Sequence, residues 1–302
     1  MNDTGRLEEK SLKRSMIAAF LLAVWGIVMA AVSHSGAVML DGMYNLISAI
    51  MTFFSIEITR LVYGKETRSF PLGYFAFESL FVLVKGASIL ILVVMAVYSN
   101  LSVLIQGGRE PALGKMILYV ALAVIGCFSA YGLTRTGCRK TGSEMLEAEA
   151  QAWLLNTLVT GAIGIAFVIT LLIQNTVVGW IARYVDQVLV IGLCLFFIRE
   201  PLVLIRKGLK ELLLAAPQDE FSAPLIQKIE PMKADLGAKS LWFEVLKTGR
   251  RVWLTVFMDP LSDNLVVNDF LAHKARLKAV AQEVYPNTST ELIIERKVEN
   301  NG

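Results

Sequence analysis

Residues 39–50, MLDGMYNLISAI, set a carboxylate, Asp41, and an amide one helical turn later, Asn45, inside a run from 37 to 59 that is otherwise apolar enough to cross a bilayer. A carboxylate at the centre of a membrane helix costs roughly 2.5–3.5 kcal/mol, even on insertion scales lenient toward charge. A group kept at that depth needs a partner or a function. Because Asp41 and Asn45 are four apart, they share one helix face and any partner would meet both.

Outward from this run, five more stretches reach the roughly 20 residues that a bilayer core requires: about 15–33, 75–97, 113–133, 145–173 and 185–206. The fifth span in chain order, 145–173, is overlong, which predicts tilt or projection beyond the bilayer. Composition agrees with a membrane protein. Of 302 residues, 55% are hydrophobic and 18% charged, against about 25% charged in a soluble domain. Residues 215–302 read instead as a water-soluble mixture. The expected organisation is a six-span transmembrane domain over 1–214 and a cytoplasmic domain over 215–302.

Basic residues orient the spans. Arg6, Lys10, Lys13 and Arg14 precede the first, Arg60, Lys65 and Arg68 follow the second, and Arg135, Arg139 and Lys140 follow the fourth. Arg206, Lys207 and Lys210 leave the sixth, whereas the opposite side holds only Arg109, Lys115 and Arg183. The positive-inside rule puts both termini in the cytoplasm. The polar N-terminus runs into about 19 apolar residues with no small-residue cleavage site, so an uncleaved first span is expected in place of a signal peptide. Cys127, Cys138 and Cys194 form no CxxC pair and suit neither a disulfide framework nor a thiolate zinc site. A net charge of +3 makes no case for nucleic acid.

In the tail, Pro217 stops the sixth helix, and Asp219 and Glu220 open a short amphipathic one. SLWFEVLKTGRRVWLTVFMD (240–259) alternates β-branched and aromatic residues about a turn, a hairpin signal. VVNDFLAHKARLKAVAQEVY (266–285) has helical spacing. Strands near 239–247, 251–259 and 288–295 complete an αββαβ order, a ferredoxin-like α+β module with helices on one face of the sheet. Trp242, Phe243, Trp253 and Phe257 are expected to form an aromatic surface on the other face, suited to a second copy of the chain.

Three stretches carry a family resemblance. SGAVMLDGMYNLIS (35–48) is similar to the second-helix pattern of the cation diffusion facilitators, the zinc- and manganese-exporter family. FPLGYFAFESLFVLVKG (70–86) resembles that family's Pro-x-Gly-Tyr-x-x-x-Glu start of the third helix, and ELLLAAPQDE (211–220) its junction with the tail. The resemblance implies a homodimeric inner-membrane exporter of a divalent cation, with exchange against protons as one coupling mode, and no enzymatic activity. It also implies four metal ligands, two on the second helix and two on the fifth. Those positions fall on Tyr44, Ser48, Ala152 and Asn156, none of them histidine or carboxylate.

Polar groups lie one turn away, and they suggest a displaced site built from Asp41, Asn45, Glu149 and Asn156, with Tyr44, Ser48 or Gln151 as further donors. Antiparallel second and fifth helices would bring Asp41 and Asn45 toward Asn156, and Glu149 toward Ser48. Gln151 is rotated by about 140° from Asn156 on an ideal helix, which weakens its candidacy. Oxygen donors without imidazole favour Mn²⁺ or Mg²⁺ over Zn²⁺ as the substrate, and no cofactor is implied. The competing readings are structural: Asp41 bonded to a neighbouring helix, Asn45 and Asn156 as interhelical glue, Glu149 at the interface.

Lys85 is a second anomaly, mid-span in the third helix and seven residues after Glu78. It either pairs with Glu78 or Glu57, or neutralises Asp41 or Glu149 when no metal is bound. The tail offers Glu295 and Lys297 where the family's extra zinc ligands would fall, and His34 and His273 stand apart, so tail metal sites are not expected. No serine or cysteine nucleophile has a histidine partner. Two alternatives remain beside the exporter: a relative that has lost the metal site and serves as a membrane scaffold, and a transporter of a different cation.

Overall fold

The apolar runs are helical because a bilayer leaves no water to satisfy backbone amides, so each span must pair its own N–H and C=O groups. In the computed structural model the described residues are 3–62, 67–110, 112–141, 144–176, 179–261 and 266–296; Lys65 and Lys297 lie outside them. The spanning helices are α1 (Asp3–Ser33), α2 (Gly36–Val62), α3 (Ala76–Ile105), α4 (Leu113–Thr141), α5 (Glu144–Ile173), α6 (Ala182–Phe197) and α7 (Arg199–Leu212). Among the described residues six segments are long and apolar enough to cross a membrane: Glu9–Ser33, Gly36–Ile58, Ala76–Ile105, Leu113–Lys140, Glu149–Ile173 and Gly179–Leu212. The last joins α6 and α7, which break at Ile198. Pro201 supplies the reason, since it has no N–H and its ring would clash with the Phe197 carbonyl in a continuous helix, whereas it is tolerated in the first turn of α7.

The chain groups into two compact units, one of Met1–Arg60 with Val84–Ile205, the other of Leu61–Leu83 with Arg206–Gly302. In the first, α4 packs on α5 and α1. The centre holds Val38, Met116, Tyr119, Cys127 and Phe167, all nearly inaccessible, while Ile91, Met95, Phe128 and Phe196 turn apolar surface outward, as a lipid-facing bundle requires. Helices α1 and α2 approach backbone to backbone at Gly26 and Gly42. A Cβ on Gly26 would lie 2.7 Å from the Gly42 Cα, so glycine is what lets α2 press this close beside Asp41.

The start of α2 is fixed from α6. Two residues, His34 and Ser35, reverse the chain between α1 and α2, and His34 takes a left-handed φ of 56°. The first amides of α2 have no partner within the helix. Asp186 supplies one: Gly36 N–H donates to its Oδ2 at 2.7 Å, Ala37 N–H to its Oδ1 at 3.2 Å, and the Ser35 hydroxyl to Oδ1 at 2.6 Å. A buried carboxylate at the positive end of a helix is thereby both hydrogen-bonded and favoured by the helix dipole.

The second unit holds α8 (Asp219–Ile229), β1 (Ala238–Thr248), β2 (Arg251–Pro260), α9 (Val267–Val284) and β3 (Thr288–Ile294), the αββαβ order expected. The sheet runs β1-β2-β3, with β1 antiparallel and β3 parallel to β2. Gly249 turns the β1–β2 hairpin at φ 56°, where a side chain would be strained. The turn is also clasped. Gly249 N–H donates to Ser79 Oγ at 3.0 Å, Arg250 N–H to Glu78 Oε2 at 2.8 Å, and Arg250 Nε pairs with Glu78 Oε1 at 2.6 Å.

Strand alternation sorts the aromatics. Val252, Leu254, Val256 and Met258 point to the core under α8 and α9, so Trp253 and Phe257 point away. Trp242 lies opposite Phe257 and stacks on it, with ring centroids 5.5 Å apart. Phe243 lies opposite Val256 and joins the core, so three of the four expected aromatics form the outer face and Phe243 does not.

Candidate functional site

Helix periodicity carries the polar residues of α2 to one side. Asp41, Tyr44, Asn45, Ser48 and Thr52 fall on turns three, four or seven apart and line a cavity of about 210 Å³ within the first unit. From α5 the same spacing brings Glu149 and Asn156 to the wall, with Ala152 and Trp153 between them. Lys85 enters from α3 and Glu200 from the first turn of α7. Ile89, Val93, Val159 and Leu193 make the remainder apolar. Asp41, Asn45, Glu149, Asn156, Tyr44, Ser48 and Lys85, singled out from the sequence, all border this one space.

The contacts run antiparallel, as the two helices require. Asn45 is buried, its Nδ2 donates to the Asp41 carbonyl oxygen one turn back at 2.9 Å, and its Oδ1 accepts from Asn156 Nδ2 at 3.2 Å. Asn156 Nδ2 also lies 3.4 Å from Cys127 Sγ. One turn further along, Asp41 is 7% exposed and reaches across to α4 and α5: the Tyr119 hydroxyl donates to its Oδ2, and the Thr160 hydroxyl to its Oδ1 at 3.4 Å. Glu149 is tied to α1, where the Ser15 hydroxyl donates to its Oε1 at 2.6 Å and itself accepts from Trp153 Nε1 at 2.7 Å.

These partners are neutral hydroxyls. They satisfy acceptor lone pairs and orient the carboxylates while leaving their charge uncancelled. Such an arrangement can bind a cation that enters, because an uncancelled carboxylate in a weakly polar cavity attracts charge far more strongly than one in water. Among the described residues, however, no group of three or more histidine, cysteine, aspartate or glutamate side chains comes together as a metal cluster. The oxygen donors that line the cavity are the carboxylates of Asp41, Glu149 and Glu200, with the amide and hydroxyl groups of Asn45, Asn156, Tyr44, Ser48 and Thr52.

Two expectations need correction. Gln151 is exposed and does not line the cavity, since its rotation around α5 from Asn156 turns it away. Lys85 does not pair with Glu78. Seven residues put two turns, about 10.5 Å of rise, between them, and Glu78 is engaged by Arg250.

Sequence reasoning overlooked Tyr119, Thr160, Ser15 and Glu200. Thr160 was within reach of it, four residues beyond Asn156 on the same face. Tyr119 reads as an ordinary aromatic of an apolar span, and nothing in its neighbourhood announces an acid 78 positions away. Cys194 of α6, a free cysteine, also lines the cavity.

Comparison with curated proteins returns no match at a significant level. The family profile described as the cation efflux transmembrane domain matches residues 12–213, about two thirds of the chain and every residue that lines the cavity. With six spanning segments, a three-stranded C-terminal module and that match, the chain belongs to the cation efflux family, whose members are membrane cation transporters.

Proposed function

We propose that the protein exports a divalent cation across the inner membrane, with both termini in the cytoplasm, and that Asp41, Asn45, Glu149 and Asn156 supply the cation's ligands, with Tyr44 and Ser48 as neighbouring oxygen donors. The observation that carries this reading is the cavity bordered by all four residues, two from α2 and two from α5, with Asn156 donating to Asn45 at 3.2 Å. Carboxylate, amide and hydroxyl oxygens suit hard cations, so Mn²⁺ or Mg²⁺ is the preferred substrate over Zn²⁺. Cys194 adds one soft donor, short of the three or four nitrogen or sulfur ligands common at zinc sites. Transport proceeds by rocking of helices around a midplane site, against protons, in a dimer joined through the C-terminal sheets.

Uptake into proteoliposomes, screened across Mg²⁺, Mn²⁺, Fe²⁺, Co²⁺ and Zn²⁺, tests it. Mn²⁺ or Mg²⁺ should move fastest, and Cys194→Ser should leave the order unchanged. Zinc transported best, with the preference lost in Cys194→Ser, would reverse the assignment of donors. A second reading draws on the Tyr119 and Thr160 bonds, which give Asp41 a purely architectural part in a scaffold protein; absence of transport for every ion in the screen would favour it.

A further inference from the structure

Lys85 carries a charge of the cargo's own sign into the proposed transport cavity. On α3 it shares a stripe with Ile89, Leu92 and Val93, four, seven and eight residues on, and all four border the cavity. Helix geometry therefore turns the lysine inward and away from lipid. An ammonium in a span needs a counter-charge, and the carboxylate two turns earlier on its own helix is engaged by Arg250. The acids that share its cavity are Asp41, Glu149 and Glu200. Tyr119, Thr160 and Ser15 hold the first two through neutral hydroxyls, which leave their charge available.

Resting on the reading of this cavity as the transport site, we propose that Lys85 is a resident counter-ion that competes with the cargo cation for the cavity carboxylates, keeping affinity for the cation low enough for release. A lysine fits this part better than an arginine. It is a compact charge on a flexible stem, able to swing toward the acids when the cavity is empty and away when a divalent ion arrives. The effect on binding follows from competition, since apparent affinity falls in proportion to the fraction of sites free of the resident charge. For unit charges that share one cavity, an effective dielectric near 20 makes a tightening of about tenfold or more the expected result of removing it.

The test is Mn²⁺ binding to the purified full-length protein in detergent, read from the loss of the free-ion paramagnetic signal, for the wild type, Lys85→Gln, Lys85→Met and Lys85→Arg. The two neutral variants should bind Mn²⁺ about tenfold more tightly, and Lys85→Arg should stay within about threefold of wild type. Their melting temperatures should also rise more with added Mn²⁺ than the wild type's. Unchanged or weaker Mn²⁺ affinity in folded neutral variants overturns the proposal while leaving the cavity's function standing. No Mn²⁺ binding by any of the four proteins overturns the transport-site reading and this proposal with it. Neutral variants that fold only when Mn²⁺ is present support the competition, because the ion then takes the lysine's place. Failure to fold with or without Mn²⁺ would make Lys85 a structural charge and sink the idea.

Discussion

At the scale of single residues, Asp41 is held by two hydroxyls, and that decides what its substitution should do. In Asp41→Asn the amide oxygen can still accept from Thr160 while its nitrogen donates to Tyr119, whose hydroxyl is free to rotate and accept. Hydrogen bonding survives and the charge does not. We expect a variant that inserts and melts close to wild type, within about 1 kcal/mol, while Mn²⁺ transport falls at least tenfold. Normal transport would make Asp41 architectural. Much of the site was legible because Asp41, Asn45 and Asn156 are conspicuous in apolar runs and their spacing declares their faces. Tyr119 and Ser15 were not, because tyrosine and serine are unremarkable in membrane helices. Their importance depends on which helices become neighbours, 78 positions apart for Tyr119 and Asp41, and 134 for Ser15 and Glu149.

At the scale of elements, α2 owes its position to its ends as much as to its apolar face. Asp186 satisfies two otherwise orphaned amides and the Ser35 hydroxyl at the start of α2, five residues before Asp41. Asp186→Ala would leave these buried donors without an acceptor, at about 1–3 kcal/mol for each such group. The expected result is a melting temperature several degrees lower and reduced transport, with Asp186→Asn recovering part of both through its remaining amide oxygen. An Asp186→Ala protein as stable as wild type would mean that other groups cap α2. Lengths and strand order were readable from the chain because hydropathy and alternation are local properties. The division of the sixth span at Ile198 was also available from Pro201, whereas the reach of an α6 carboxylate to the α2 terminus was not, since helix neighbours are set by packing across the bundle.

At the scale of the molecule, the outer face of the three-stranded sheet asks for a partner. Along one line across the strands stand Trp242, Phe257 and Ile293, the last 42% exposed, and on the same face, past a polar row of Glu244, Thr255 and Glu291, come Leu246 and Trp253. The end of this face near the hairpin turn is covered from within the unit, where the Arg251 guanidinium lies 5.2 Å from the ring centres of both Phe75 and Trp253. The Trp242–Phe257–Ile293 line is left. Strand alternation explains why folding does not bury it: the same strands already commit Val252, Leu254, Val256 and Met258 to the helix side, and a residue cannot serve both. A second copy related by twofold symmetry would cover it with the same residues. Phe257→Glu puts a carboxylate at the centre of that contact while removing one half-buried stack, worth about 0.5–1.5 kcal/mol to the module itself. Mass measurement in detergent should give a dimer for the wild type and a monomer for Phe257→Glu at micromolar concentration, with the module still folded. A wild type that is monomeric well above that concentration, or a variant that remains dimeric, would place the contact elsewhere and leave this aromatic line without its assigned role.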